Sequence, residues 1–413
     1  MLNNDFVMNI FIIITLAMVL TLVLMRFKLP IGICIFGGGL FIWGFTNPDW
    51  RLIVKAGEQM ATMSRTYDLV IALYLVICLE IELRKSGALA GMVQALSRMF
   101  SSAKFTLAVM PAFLGVLPSI GGARFSAPIV EEASKDMKVT AQDKAAINFW
   151  FRHIFEFSSP IIPGMILACG IAGVKIGDLI VHLGWMTVAA FVLGWIVMVR
   201  PIDAAKNVVK EVTQEEKHRQ MVDFVVALAP VIANVVLMVA FELPASISMG
   251  IVVIAMVPIL YTLNRPVSVY DIFVGALDWK LFANVGCILL FIQLLDTTGV
   301  LAQIVAAFKG SALPIPVIIA IVSFIIGILT GLSQGHVAIV MPIVAALSMG
   351  DLDLVGVAMV FGVAGQMITP THVCLTITID YFKSDFFKTL APVLITQGAL
   401  LVIFSVVSYF TWS

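Results

Sequence analysis

Charge is scarce in this sequence. Lys, Arg, Asp and Glu make up 12% of its 413 residues, against about a quarter in an ordinary soluble domain. The 25 positive and 25 negative side chains cancel, so no basic excess exists to hold nucleic acid. Cysteine is also sparse. Cys34, Cys78, Cys169, Cys287 and Cys374 lie scattered in apolar segments with no CxxC spacing. That excludes a disulfide scaffold or a Cys-rich zinc framework, and each reads as a small buried hydrophobe. A phosphate-binding GxxxxGK[ST] loop is missing as well, which argues against primary active transport by this chain alone.

Apolar residues take the place of charge. They form 61% of the chain, and mean hydropathy is +1.07. Runs of mostly apolar residues recur from end to end, and about 20 such residues cross a bilayer as a helix. The chain reads as an all-α polytopic membrane protein whose first partner is the lipid bilayer. The first run, Phe6 to Met25, lacks a basic start and a small-residue cleavage site. It reads as a retained span rather than a signal peptide.

Internal repetition is the most informative feature. Phe27-Lys28-Leu29-Pro30 returns as Phe241-Glu242-Leu243-Pro244. SGALAGMVQAL from Ser86 returns as TGVLAQIVAAF from Thr298. FLGVLPSIGGARFSAPIVEEA from Phe113 returns as IIGILTGLSQGHVAIVMPIVAAL from Ile325, and Ser159-Pro160 as Thr369-Pro370. The pairs keep their order at an offset of about 210 residues, the mark of a duplicated unit. The first half reads as spans near 5–26, 30–46, 67–83, 144–175 and 178–199, with an interrupted apolar stretch at 104–134. The second reads as spans near 221–241, 244–262, 281–297, 352–382 and 388–411, with its counterpart at 313–349. At about 1.5 Å per residue the arms of each interrupted stretch are too short to cross, so each reads as a re-entrant hairpin. Two repeats of five transmembrane helices plus one hairpin each must then have inverted topology. Lys and Arg agree: with the N-terminus outside, only Arg51, Lys55, Arg65, Lys175 and Lys309 fall outside, as the positive-inside rule asks. Both termini are expected outside an inner (plasma) membrane. Residues 200–219 become the cytoplasmic linker. Leu89, Met92, Val93, Leu96 and Phe100 form one amphipathic stripe, and Leu301, Ile304, Val305 and Phe308 its counterpart. Both read as arm helices along the interface, 85–103 and 298–312.

Non-helical backbone at membrane depth is tolerated only when it is buried in protein or lines a cavity. Four such interruptions stand in two pairs: PSIGGAR (118–124) with TGLSQGH (330–336), and SSPIIPG (158–164) with TPTH (369–372). Pro removes helix hydrogen bonds there, and paired breaks mark the binding site of secondary transporters. Ser119, Gly121, Gly122, Arg124, Ser333, Gln334, Gly335, His336, Thr371 and His372 are candidate substrate contacts. Ser119, Ser158, Ser159, Pro160, Ser333, Thr369 and Pro370 are candidate coupling-ion positions, whose hydroxyls and freed carbonyls suit Na⁺. No other metal or cofactor is expected. Gly331-x-Ser333-x-Gly335 also spells a hydrolase nucleophile turn, but that turn follows a strand in a soluble sheet. An intramembrane serine hydrolase using Ser333 is therefore a side alternative, and the chain reads as no enzyme.

Single residues leave alternatives open. Arg124 and His336 pair as anion-binding residues, or Arg124 meets Glu131 or Glu132 on its own hairpin. His153 and Glu156 are proton-relay candidates, which would suit a proton-coupled antiporter, or Arg152 and Glu156 neutralise each other on one helix. His372 contacts ligand or caps a half-helix. Glu80 and Glu82 pair locally with Arg84 and Lys85.

With these tips in view, the chain resembles the ion transporter superfamily of secondary carriers, which includes divalent-anion/Na⁺ symporters and citrate- and gluconate-type permeases. LPSIGGARFSAP and TPTH look most like a prokaryotic integral membrane branch of it. The divalent-anion symporters carry Ser-Asn-Thr at both tips, where this chain has Pro118-Ser119-Ile120 and Leu332-Ser333-Gln334. The resemblance implies a homodimeric elevator. Residues 1–84 and 220–297 would be scaffold, and 104–199 with 313–413 the transport domain. It would move a small organic anion, such as a carboxylate, by symport with Na⁺ or H⁺.

Overall fold

The computed structural model describes residues 4–27, 29–99, 102–116, 123–135, 137–203 and 213–412. Among them are twenty α-helices and no β-strand. The helices fall into two runs of ten with the same order. The first is α1 (Asn4–Arg26), α2 (Ile31–Thr46), α3 (Trp50–Thr62), α4 (Ser64–Lys85), α5 (Ala88–Met99), α6 (Ala103–Val116), α7 (Ala123–Ala133), α8 (Ala141–Arg152), α9 (Pro163–Ala172) and α10 (Ile176–Gly194). The second is α11 (Gln214–Val239), α12 (Ala245–Thr262), α13 (Val269–Phe273), α14 (Trp279–Thr297), α15 (Val300–Lys309), α16 (Ile315–Thr330), α17 (Ser333–Leu347), α18 (Leu352–Met367), α19 (Val373–Phe382) and α20 (Phe386–Thr411).

The matched motifs do the same local work in each run. Pro30 and Pro244 stand at the N-caps of α2 and α12, with φ −55° and −56°. There the missing N–H costs nothing and the ring presets the backbone. Gly87 and Gly299 both take left-handed φ, 77° and 72°, just ahead of α5 and α15, a conformation that a Cβ makes costly. The helices of the interrupted stretches are short: 14 and 11 residues for α6 and α7, 16 and 15 for α16 and α17. None reaches the roughly 20 residues a bilayer crossing takes. The spans near 144–175 and 352–382 are each broken into two helices, α8/α9 and α18/α19.

Two differences from the sequence reading stand out. Residues 50–62 form α3, an amphipathic helix capped by Asp49, whose side chain accepts from Arg51 N–H. It was missed because its apolar residues alternate with Arg51, Lys55, Glu58 and Gln59 and form no run. Arg152, His153 and Glu156 do not share one α-helix either. Helix α8 ends at Arg152, and Ile154–Phe157 is a 3₁₀ turn, so the i,i+4 spacing of Arg152 and Glu156 no longer places them on one helical face.

The chain divides into two compact units, Met1–Ile71 with Leu167–Val174 and Leu277–Gln366, and Ala72–Ile166 with Lys175–Ala276 and Met367–Ser413. This division and the expected scaffold and transport segments cut the chain at different places. In the first unit α2 packs on α1 and α14. Gly32 lies flat on α14, its N–H donating to Asn284 Oδ1 at 3.0 Å, where any side chain would strike the Asn284 backbone. Helices α16 and α18 meet in the same way: Gly327 abuts the Gly362 carbonyl, and Gly365 the Phe324 carbonyl. Small residues at such crossings let backbones approach, which is how membrane helices gain packing energy.

In the second unit α5 lies along α11. Gly91 abuts the Asp223 carboxylate, which is buried and ion-paired to Arg265. Of the α5 stripe, Met92 is buried and Leu89 half-buried, and the side chains of Val93, Leu96 and Phe100 lie outside the described residues. Helix α6 packs on α8, Gly115 against the Arg152 carbonyl, and α8 is sandwiched further by α7, α19 and α20. On the surface Lys175 pairs with Glu242 at 2.6 Å. That hydrogen bond holds the amine above its usual range and the carboxyl below its own.

Five helices among the described residues are long and apolar enough to cross a membrane: α10 with its π-helical end (Ile176–Val199), α11, α12, α14 and α20. Their outward faces carry exposed large hydrophobics such as Val188, Ile254 and Ile395, which water would not leave uncovered over so wide an area. The protein is a multi-pass α-helical membrane protein.

Candidate functional site

The second hairpin turns in two residues. Thr330 ends α16, and Gly331 takes left-handed φ 64°. Leu332 is extended at the N-cap, and Ser333 opens α17. Gly331 is a helix stop that needs φ > 0. Gly335 is held small by the Thr330 side chain at 2.7 Å from where its Cβ would stand. Both glycines of Gly-x-Ser-x-Gly thus have backbone reasons, and Ser333 follows a helix rather than the strand that a nucleophile turn requires. No side chain caps α17; Gly335 and His336 N–H donate to the Leu332 carbonyl, and Ser333 and Gln334 stand at the positive end of the helix dipole. Ser333 is buried and Gln334 half-buried. His336, in the first turn, is wholly buried, and neither ring nitrogen has a hydrogen-bond partner among the described residues. Its ring lies on Gly362 of α18.

The first hairpin is described only in part. Pro118, Ser119, Gly121 and Gly122 lie outside the described residues, as does the side chain of Arg124 in the first turn of α7. Of the two carboxylates weighed as its partners, Glu131 accepts from Tyr381 Oη at 2.7 Å, and Glu132 meets Lys135 at 3.5 Å.

At the breaks, Ser158 Oγ lies 2.7 Å from Thr187 Oγ1, and buried Ser159 donates to the Val116 carbonyl at 3.3 Å. Pro160 is buried beside it. Thr369 Oγ1 and Thr371 Oγ1 are 3.0 Å apart, and Pro370 and Thr371 are exposed.

One juxtaposition was invisible in the sequence. The C-terminal end of α8 and the N-terminal end of α19 meet in a buried polar seam. His153 Nε2 lies 3.1 Å from His372 Nε2. His153 Nδ1 lies 2.7 Å from the Phe149 carbonyl and donates to it, because a carbonyl can only accept. That fixes the neutral tautomer and makes His153 Nε2 the acceptor, with His372 Nε2–H the donor. Phe149 packs edge-on against His372, centroids 5.1 Å apart at 88°. Cys374 Sγ joins the two imidazoles, the three ligand-type atoms all within 4.8 Å of one another. One turn on, Asn148 Nδ2 donates to Thr378 Oγ1 at 3.1 Å, and Thr378 Oγ1 donates to the Cys374 carbonyl at 2.7 Å. Arg152, also buried, has Cys374 and Glu156 as electrostatic neighbours. Asn148, Cys374 and Thr378 drew no functional reading from the sequence, although Asn148 and Arg152 are four apart, as are Cys374 and Thr378. A polar stripe on each of two apolar helices was the available signal.

Glu82 corrects another expectation. Glu80 does pair with Arg84, at 3.6 Å. Glu82 is wholly buried, and neither carboxylate oxygen has a hydrogen-bond partner among the described residues. At about 100° per residue the two glutamates face opposite sides of α4. Tyr74, Cys78 and Glu82 share the inward side, and Tyr74 donates to the Phe273 carbonyl at 2.7 Å. An ionisable group sunk in a membrane protein without a partner is costly and points to function.

No curated protein sequence matches the chain. Among solved structures, the fold is similar to that of the YdaH transporter of Alcanivorax borkumensis, whose crystal structure is described as having an unusual topology. The TM-score is 0.60 at 13% identity, over 84% of this chain and 86% of that one; at this identity the likeness is one of fold alone. The profile of the family described as "Protein of unknown function (DUF401)" matches residues 7–410, nearly the whole length, and the chain belongs to that family.

Proposed function

We propose that the protein is a secondary active transporter that moves a small organic anion, a carboxylate, coupled to Na⁺ or H⁺. The observation that carries this reading is the ordered pair of short helical hairpins and broken helices in a chain of membrane-crossing helices. Breaks at membrane depth open backbone groups to a ligand and serve no purpose in a merely structural bundle. The likeness of fold to a structure titled as a transporter supports it. The uncapped start of α17 would offer the N–H groups of Ser333 and Gln334 to a carboxylate, with Gly335 and His336, whose own N–H groups donate to the Leu332 carbonyl, lining the site, and the first hairpin would supply Ser119, Gly121, Gly122 and a bidentate Arg124. Ser158, Ser159, Pro160, Thr369 and Pro370 would frame the coupling ion, and Thr371 and His372 the substrate. In this proposal the two halves are inverted repeats within a homodimer. An elevator movement of 104–199 with 313–413 against 1–84 with 220–297 exposes the site to either side. That partition concerns motion and not compactness, and it matches the ion transporter superfamily that the tips resemble.

The test is uptake of radiolabelled carboxylates into proteoliposomes under imposed Na⁺ or pH gradients. Arg124→Ala and His336→Ala should each abolish uptake while the protein still elutes as a monodisperse species. Uptake at the wild-type rate in both would remove the anion reading.

A second reading of the coupling ion rests on Glu82. A buried carboxyl with no hydrogen-bond partner among the described residues is suited to carry a proton through the cycle, which would make H⁺ the driving ion.

A further inference from the structure

We propose that His153, His372 and Cys374 form a binding site for a thiophilic d¹⁰ metal ion, Cu⁺ or Zn²⁺, that joins the broken ends of α8 and α19. The proposal shares His372 with the substrate reading above, but its test reads metal content and not transport. It rests on geometry within one unit of the fold. Two imidazole nitrogens and a sulfur lie within 4.8 Å of one another. Tetrahedral zinc holds nitrogens at about 2.0–2.1 Å, which puts two such ligands about 3.4 Å apart; the Nε2 atoms here are 3.1 Å apart. The chemistry also fits, because imidazole with thiolate selects Cu⁺ or Zn²⁺ over the hard cations Mg²⁺ and Ca²⁺.

The surroundings are those of a built ligand set. His153 donates its Nδ1–H to the Phe149 carbonyl, the outer contact that fixes the ring and turns the Nε2 lone pair toward an ion. The Cys374 backbone is held through Thr378 and Asn148. Cys374 lies in the first turn of α19, with His372 at its N-cap, so both ligands sit at one helix end. On binding, the thiol proton leaves to solvent, the proton on His372 Nε2 leaves that nitrogen as the ring changes to its Nδ1–H tautomer, and the sulfur and the two Nε2 lone pairs take the metal. Coordination number decides between the two ions. Zn²⁺ in a site with three protein ligands takes a water as its fourth, whereas Cu⁺, which soft sulfur donors select, is satisfied by three. Cu⁺ is therefore the preferred occupant of this three-donor set.

The test uses the full chain in lipid nanodiscs, stripped by chelator. Cu⁺, buffered by a competing chromogenic chelator, and Zn²⁺ are titrated separately, with X-ray absorption of the loaded protein. The expected result is about one ion retained per chain, with nitrogen and sulfur in the coordination shell. Outer-shell partners alone are worth about 10–100-fold in affinity, so Cys374→Ser and His372→Gln should each weaken binding by about 100-fold or more. Cys374→Ser is nearly isosteric and keeps the test valid if His372→Gln does not fold. Binding that is equal in wild type and Cys374→Ser, or no uptake of either ion by wild type at micromolar concentration, overturns the proposal. Loss of carboxylate transport bears on neither outcome, because the readout is metal content.

Discussion

At the scale of the residue, the informative side chains are polar ones with nowhere obvious to go. His336 and Glu82 are both wholly buried, and burying such groups without partners costs free energy that a purely structural role would not repay. Glu82→Gln keeps the shape and removes the ionisable proton. If H⁺ is the coupling ion, this variant should lose uptake driven by a pH gradient while still exchanging labelled for unlabelled substrate at the wild-type rate. Gradient-driven uptake that survives would acquit Glu82. Its location was legible in principle: Glu80 and Glu82 two apart on a helix cannot both face Arg84. The His153–His372 contact was not legible, because 219 positions separate the residues and a His-x-Cys spacing alone has no diagnostic weight.

At the scale of the element, what the sequence revealed was what is local. Pro before a helix, Gly before an arm helix and an apolar run cut in two by Gly and Ser each carry their own backbone logic. The structure shows those breaks at Thr330/Ser333 and at Met367/Val373. Helix α3 escaped notice because its amphipathic pattern needs a partner, α14, to make sense. The sharpest element-level test concerns α18. A methyl at Gly362 would enter the ring of His336, and overpacking of this kind costs about 1–3 kcal/mol. Gly362→Ala should lower the apparent melting temperature, and the same change in a His336→Ala background should not, since the ring is gone. Equal destabilisation in both backgrounds would mean that the strain comes from elsewhere on α18.

At the scale of the whole molecule, the arrangement of charge makes its own prediction. Reporter fusions at the two ends should both read outside, and a fusion within 204–212 should read cytoplasmic, if the halves are inverted. Ends on opposite faces would break the repeat symmetry. That symmetry was read from motifs of a few residues, whereas the grouping into compact units depends on contacts between distant segments, which no local pattern encodes.

Each compact unit is stitched from three separate stretches of chain. The partners of the opening helices leave the ribosome only about 200 residues after those helices do, and such long-range pairing is slow and leaves intermediates exposed. Helices α1 and α2 must wait in the lipid, half-covered, until α14 arrives. Biogenesis of this protein should therefore lean on a membrane insertase or chaperone that shelters early helices. Chains truncated before Leu277 should be degraded rather than accumulate as half-proteins.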